Sequence, residues 1–362
     1  MKDEQTKLIL YFIFSVLFII ATTNYLDDLD LINQFGQKDI EQYYIIAKEV
    51  PKLPFNNEEI LPHVSSRYIV PYIIGSISNA FELDLFITYR IITFFFLLLF
   101  LIFFYKFLQS SFSNFWEKIL FFSIIFFNPY IIRHHVFQPV QAHDLLFFTL
   151  TIIFLAGINK NNYKYIFISA LLMIFIRQTS IAFLIGGSVF FFLNKDYKKM
   201  TALILIFLLL FKLNSLVGNS ISTGKFDMNY AIGILSYDFS NWEKLLRFLL
   251  LPFISFFPII LLMIYSMRIN DSVNLNMVIT CFVVSILMIG QPILGGPDYT
   301  QRNVIRISTL SYILATFFVF SLFNLEKLYQ KKLLLVIFIA GLFLWSFHPL
   351  YSNVKFFSIL RF

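Results

Sequence analysis

The stretch YRIITFFFLLLFLIFFY, Tyr89–Tyr105, carries one formal charge, Arg90, and apart from Thr93 is otherwise built of aliphatic and aromatic side chains. A run of this kind matches the hydrocarbon core of a bilayer, which a helix crosses with about 17–25 mostly apolar residues. Apolar runs recur along the chain near 8–23, 68–81, 119–132, 144–157, 166–176, 179–193, 200–217, 246–266, 276–294, 304–323 and 333–348. The composition is 59% hydrophobic, 20% aromatic and 14% charged, with 49 Phe and a mean hydropathy of +0.77. A water-soluble domain cannot hide that much apolar surface. The expected fold is therefore all-α, a polytopic bundle of about ten to twelve membrane helices. The bilayer is its first partner. Residues 1–362 read as one membrane domain, with no internal repeat of fixed period and no separate soluble domain.

The net charge of +7 does not point to nucleic acid. Lys2, Lys7, Lys106, Lys118, Lys160, Lys164, Lys195, Lys198, Lys199, Arg268, Lys327, Lys331 and Lys332 are scattered through short connections, as in cytoplasmic loops. That assignment puts the N-terminus in the cytoplasm. The opposite face then collects a first external loop at 24–67, a second at 218–245, and the histidines. Leu8–Thr23 lacks a clear small-x-small cleavage site and reads as an uncleaved first helix. The lone Cys281 can form no intrachain disulfide.

The partition holds only if 68–84 does not cross the membrane. Residues 68–81 are short for a span and contain Pro71 and Gly75, which suits a re-entrant or in-plane helix. The stretch 166–193 is too long for one span and short for two, and Arg177-Gln178-Thr179 falls near its middle. Two short helices meeting at Arg177 resolve this. A charge at mid-membrane costs about 2.5–3.5 kcal/mol on insertion scales and should face protein or a water-filled cavity.

Four patches could carry chemistry. From Gln37 to Val50 the pattern is an amphipathic helix, with Ile40, Tyr43, Tyr44 and Ala47 on one face and Asp39 one turn before Tyr43. Asp39 serves either as a general base or as a helix cap. The second patch, Pro62-His63-Val64-Ser65-Ser66-Arg67, offers His63 and Arg67 either to a phosphate or to lipid headgroups. The third runs from Asn128-Pro129 through Arg133-His134-His135 to His143-Asp144. Its histidines suggest a divalent cation but lack a strong ligand spacing. Asp144, at the mouth of an apolar helix, needs a cation, a hydrogen-bond partner or a substrate. In the fourth patch, Gly295 to Asn303, Arg302 and Arg306 share a helix face by i, i+4 spacing and could hold a lipid phosphate.

In their order these patches, with Met173–Thr179, resemble the GT-C superfamily of polyprenyl-phosphate-dependent membrane glycosyltransferases. The likeness covers most of the chain in hydropathy and four short patches in sequence. Gly36 to Ala47 is similar to that family's frame G-x2-D-x3-Y-x3-A in the first external loop. Pro62-His63-x3-Arg67-x3-Pro71 resembles its Pro- and Arg-containing loop end. Pro129 to Asp144 looks like its external turn and following acid, and Arg177-Gln178-Thr179 like its hairpin with a buried arginine. Many members have paired acids in the first loop; here Asp27-Asp28 sits close to the first helix.

The resemblance implies a sugar donor on a polyprenyl phosphate and a glycan, lipid or protein acceptor, at the external face of a bacterial plasma membrane. Asp39 would be the inverting base. Tyr43, His63, Arg67, His143, Asp144, Arg177, Gln178, Arg302 and Arg306 would bind substrate, the arginines neutralising the leaving phosphate. No soluble cofactor motif is present, and a divalent cation stays open as an addition. Two rival readings are a polysaccharide polymerase or ligase of the Wzy or EpsG kind, and a transporter or lipid-sugar flippase.

Overall fold

A computed structural model describes residues 2–22, 38–223, 250, 256–266, 269–270, 273–290 and 309–346, with side chains at all of these except Lys2, Lys38, Asp39, Ile40 and Phe137. Among the described residues the chain is all-helical, with isolated bridges and no strand. In chain order the helices are α1 (Lys2–Ala21), α2 (Lys38–Lys48), α3 (Pro62–Ser65), α4 (Ile69–Ala80), α5 (Leu85–Ser111) and α6 (Phe115–Phe126). A π-turn at Pro129–Arg133, α7 (His134–Phe137) and a 3-10 turn at Pro139–Gln141 lead into α8 (His143–Asn159). Then come α9 (Tyr163–Met173), α10 (Ser180–Leu193), α11 (Tyr197–Ile221) and α12 (Phe256–Tyr265). The last four are α13 (Leu275–Gly290), α14 (Tyr312–Leu322), α15 (Glu326–Gln330) and α16 (Lys332–Trp345).

Four of the described helical segments are long and apolar enough to cross a membrane: Asp3–Ala21, Leu85–Ser111, Pro139–Asn159 and Tyr197–Ile221. A fifth forms if Phe115–Phe126 and Pro129–Val136, bent by 46°, are one span. The bend has a local cause. Pro129 supplies no backbone N–H, and the Asn128 side chain accepts instead from the Tyr130 amide at 2.9 Å. Other apolar helices are 10–17 residues long. At 1.5 Å per residue they cover about 15–25 Å, less than the ~30 Å hydrocarbon core. The chain is thus a multi-pass helical membrane protein in which full-length spans alternate with short apolar helices. Helix α11 runs through Ile221, so 218–221 is helix and not loop as the sequence suggested; 224–245 lies outside the described residues.

The chain forms two compact units: Met1–Tyr25, Tyr105–His134 and Met228–Phe362 in one, Leu26–Phe104 and His135–Asp227 in the other. The first is packed with phenylalanine. Phe12 stacks on Phe122 with centroids 3.9 Å apart, and Phe121 meets Phe112, Phe317 and Phe320. Arg133 is fully buried there, donating to the Thr22 carbonyl (2.9 Å) and hydroxyl (2.8 Å) and lying over the Phe18 ring.

The second unit is organised by α8, whose apolar window is 83% buried, whereas that of α11 is 17% buried. Helix α8 is therefore an inner helix and α11 an outer one. Below it, Tyr43, Ile46 and Ala47 of α2 pack with Val70 and Ile74 of α4 and with Tyr89, Val140 and Ile221. Gly75 makes the approach possible, since a Cβ there would lie 2.0 Å from the Ala47 carbonyl oxygen. Asn79 Nδ2 donates to the Val50 carbonyl at 2.8 Å and the Tyr72 hydroxyl to that of Pro51 at 3.1 Å, pinning the end of α2 to α4. The buried face of α2 thus differs from the one expected. Gln42 and Ile46 are buried with Tyr43 and Ala47, and Tyr44 is half-buried. Its apolar side is covered by α4, which the helical period alone does not show. Helix α4 has 12 residues, about 18 Å of rise, and is followed by Asp84, whose carboxylate caps α5 through the Phe86 and Ile87 amides.

Candidate functional site

Asp144 stands at the start of α8, directly after the turn that Pro139 opens, and Arg177 stands in the turn joining α9 to α10. The Arg177 amide still bonds back to the Met173 carbonyl at 2.9 Å, while the Ser180 amide donates to the Arg177 carbonyl at 3.1 Å. That turn delivers the guanidinium inward. Its Nε donates to Asp144 Oδ1 and its Nη2 to Oδ2, a two-point pair with side-chain exposures of 5% and 1%. Each charge is what the other required, since neither is tolerable alone in an apolar unit.

Two imidazoles complete the surroundings of the carboxylate. His143 Nε2 lies 3.4 Å from Oδ1 and His135 Nε2 lies 3.8 Å from Oδ2, both in fully buried side chains. The His143 ring sits 4.7 Å, centroid to centroid, from that of Tyr43. The Tyr43 hydroxyl accepts from Arg67 Nη1 at 2.9 Å, and the Tyr43 carbonyl accepts from the Tyr89 hydroxyl at 3.2 Å. The contacts run Arg67, Tyr43, His143, Asp144, Arg177. Gln42 fixes the first link: its Oε1 accepts from the Leu61 amide at 2.8 Å and sets the start of α3 against α2. On the outer side of α2, burial and, secondarily, the Asp84 carboxylate raise the Tyr44 phenol above its ordinary range. It stays a neutral hydroxyl at physiological pH.

A second group of contacts sets the spacing of the two arginines. Asn214, inside α11, donates from Nδ2 to the Ser66 carbonyl at 2.9 Å and to the Ile174 carbonyl at 3.3 Å. Gln178 Nε2 donates to Ser66 Oγ at 3.1 Å. One turn beyond Asn214, Gly218 lies so close to Ser66 that a Cβ would stand 3.3 Å from its backbone nitrogen. Asn214 thereby ties the residue before Arg67 to the turn that bears Arg177. Asn214→Leu, matched in size, is expected to lower stability by about 1–3 kcal/mol, because two buried carbonyls lose a donor. Asn214→Ala, which removes the donor and leaves a void, should do no better. Thermal unfolding in detergent checks this, and an unchanged midpoint in both variants would remove the tie from the account.

Of the expected site residues, Tyr43, Arg67, His143, Asp144, Arg177 and Gln178 fall within these two linked groups. His63 is half-buried on α3, and its carbonyl accepts from the Ser66 hydroxyl at 3.1 Å. The α2 backbone carrying Asp39 is described, but the Asp39 side chain lies outside the described residues, as do Arg302 and Arg306. Arg67 is half-buried, and its Nη1 is turned toward the Tyr43 hydroxyl. Arg177 spends two of its three nitrogens on Asp144. The Arg133-His134-His135 cluster divides, Arg133 and His134 belonging to the first unit and His135 to the second. Among the described residues no group of three or more His, Cys, Asp or Glu side chains could hold a metal. A guanidinium on the Asp144 carboxylate, which His135 and His143 also approach, opposes a second cation there.

Asn214 and Gln42 escaped the sequence reading. The signal for Asn214 was the one that exposed Arg177, a polar residue within an apolar run.

No protein family, characterised protein or solved structure matches the chain.

Proposed function

We propose that the chain is a membrane glycosyltransferase of the GT-C kind, which takes its sugar from a polyprenyl phosphate and passes it to an acceptor hydroxyl. One observation supports the reading above others. Residues from each of the four patches that carry the resemblance meet in one unit: Tyr43 from the first, Arg67 from the second, His143 and Asp144 from the third, and Arg177 from the hairpin. They are far apart in sequence, and no packing rule for apolar helices would assemble them.

In this reading Asp39, one turn before Tyr43 on α2, removes the proton from the acceptor hydroxyl. The freed oxygen forms a bond to the anomeric carbon while the bond from that carbon to the phosphate oxygen breaks. Configuration inverts in the one displacement, and polyprenyl phosphate leaves. Arg67, held by Tyr43, meets the leaving charge. Arg177 orients Asp144 and through it His143, which packs on Tyr43. Preorganised charge in a water-poor setting is the strongest catalytic factor available here. The reaction lies at the external face if the lysine-bearing loops are cytoplasmic.

The deciding assay uses purified protein in detergent with synthetic lipids. Transfer from a monophosphate-linked sugar, with no membrane gradient, is the expected result. Transfer only from a diphosphate-linked oligosaccharide would favour the polymerase or ligase reading, and no transfer from either would leave the transporter.

A further inference from the structure

The residues between the two histidines that touch Asp144 form a closed loop. His135 Nε2 and His143 Nε2 both approach that carboxylate, so the segment 135–144 leaves it and returns to it. Thr93 fixes the middle of the loop by donating to the Pro139 carbonyl at 3.1 Å. Gln138 lies inside this loop and is 4% exposed. Among the described residues neither its amide nitrogen nor its amide oxygen has a hydrogen-bond partner. The residues that follow Arg177 in the chain show the same surplus. Thr179 and Ser180 are 5% and 0% exposed, and neither hydroxyl is bonded. Buried polar groups in proteins are nearly always satisfied, and an apolar residue of similar shape would serve packing better.

We propose that Gln138, with the Thr179 and Ser180 hydroxyls, forms a subsite for the hydroxyl groups of a neutral sugar ring beside the Asp144–Arg177 pair. The chemistry selects the ligand class. An amide offers one acceptor and two donors, and a hydroxyl offers both functions. The complement is a group that donates and accepts from adjacent atoms, as neighbouring ring hydroxyls do. A phosphate only accepts and would face the Gln138 carbonyl oxygen unfavourably, so the subsite is separate from the arginine that meets the phosphate. The inference rests on the glycosyltransferase reading for the origin of the sugar, but the subsite itself rests on the buried amide.

The test uses full-length protein in detergent and two variants, Gln138→Met, close in length and unbranched, and Gln138→Leu. Thermal midpoints are read alone and with undecaprenyl phosphate, with its hexose-linked form, and with methyl hexopyranosides. Without ligand the variants are expected to melt about 2–4 °C higher, because an unsatisfied amide has gone. They should bind undecaprenyl phosphate as the wild type does and bind its hexose-linked form about tenfold more weakly, two neutral hydrogen bonds being lost. Lower midpoints in both variants would assign the amide to the fold and overturn the subsite. An undiminished preference for the glycosylated lipid in both would also overturn it, as would a wild type that responds to neither sugar probe. If the wild type ignores the lipids but responds to a methyl hexopyranoside, and the variants do not, the subsite stands and the polyprenyl-phosphate reading falls.

Discussion

Asp39→Asn is expected to lower sugar transfer by about 10²–10⁴-fold, the usual contribution of a positioned general base. The amide matches the carboxylate in shape and can still accept a hydrogen bond, but it cannot take up a proton. The helix beneath it leaves little room to compensate. Tyr43 is held by Arg67, Ala47 rests on Gly75, and the Val50 carbonyl is bonded by Asn79. The competing role, a carboxylate at a helix start, is worth about 1 kcal/mol of stability and nothing in rate. Initial rates and thermal midpoints of the same preparation separate the two. Lost activity with a midpoint near wild type marks a base. A lowered midpoint with undiminished transfer marks a cap and removes Asp39 from the chemistry.

The second large effect concerns stability. Arg177→Met should destabilise the protein by about 3–5 kcal/mol, because it strands the Asp144 carboxylate in a dry interior. Both side chains are almost wholly buried, so solvent does little to screen the loss. The double variant Asp144→Asn with Arg177→Met removes both charges and should recover most of that stability, since the pair is net favourable only against a lone buried charge. Its transfer activity should stay low, because Asp144 also sets His143 against Tyr43. Unfolding of the two single variants and the double, measured as one cycle, yields the coupling directly. Additive losses would mean that the two groups do not act as a pair, and full activity in the double variant would make the pair structural only.

Much of the fold was legible because membrane helices are written locally. A span is a length of apolar chain, and each segment shows it without its neighbours. The turn at Arg177 was legible in the same way, as a charge too costly to leave at mid-membrane. The bend at Pro129 was not anticipated, since 119–132 read as one apolar run; its cause is the missing proline N–H. The face of α2 was not legible, because a period of 3.6 residues orders side chains around a helix without saying what covers them. There the partner was α4, and a single glycine, Gly75, decided how near it came. The extent of α11 was misjudged by its last turn, where Gly218 and Asn219 read as loop and the helix continues to Ile221.

By itself, then, the sequence determined that this is a multi-pass helical protein of the membrane, where its charges interrupt the apolar runs, that Asp144 required a partner, and that Arg177 had to face protein or water. Only the tertiary structure decided that they are partners of one another, that Tyr43 and Arg67 meet beside them, and that Asn214 holds the spacing. Burial energy is a sum over single residues and can be read along the chain. Pairing depends on which distant segments come together, and that is set by packing between helices whose order in sequence leaves it open.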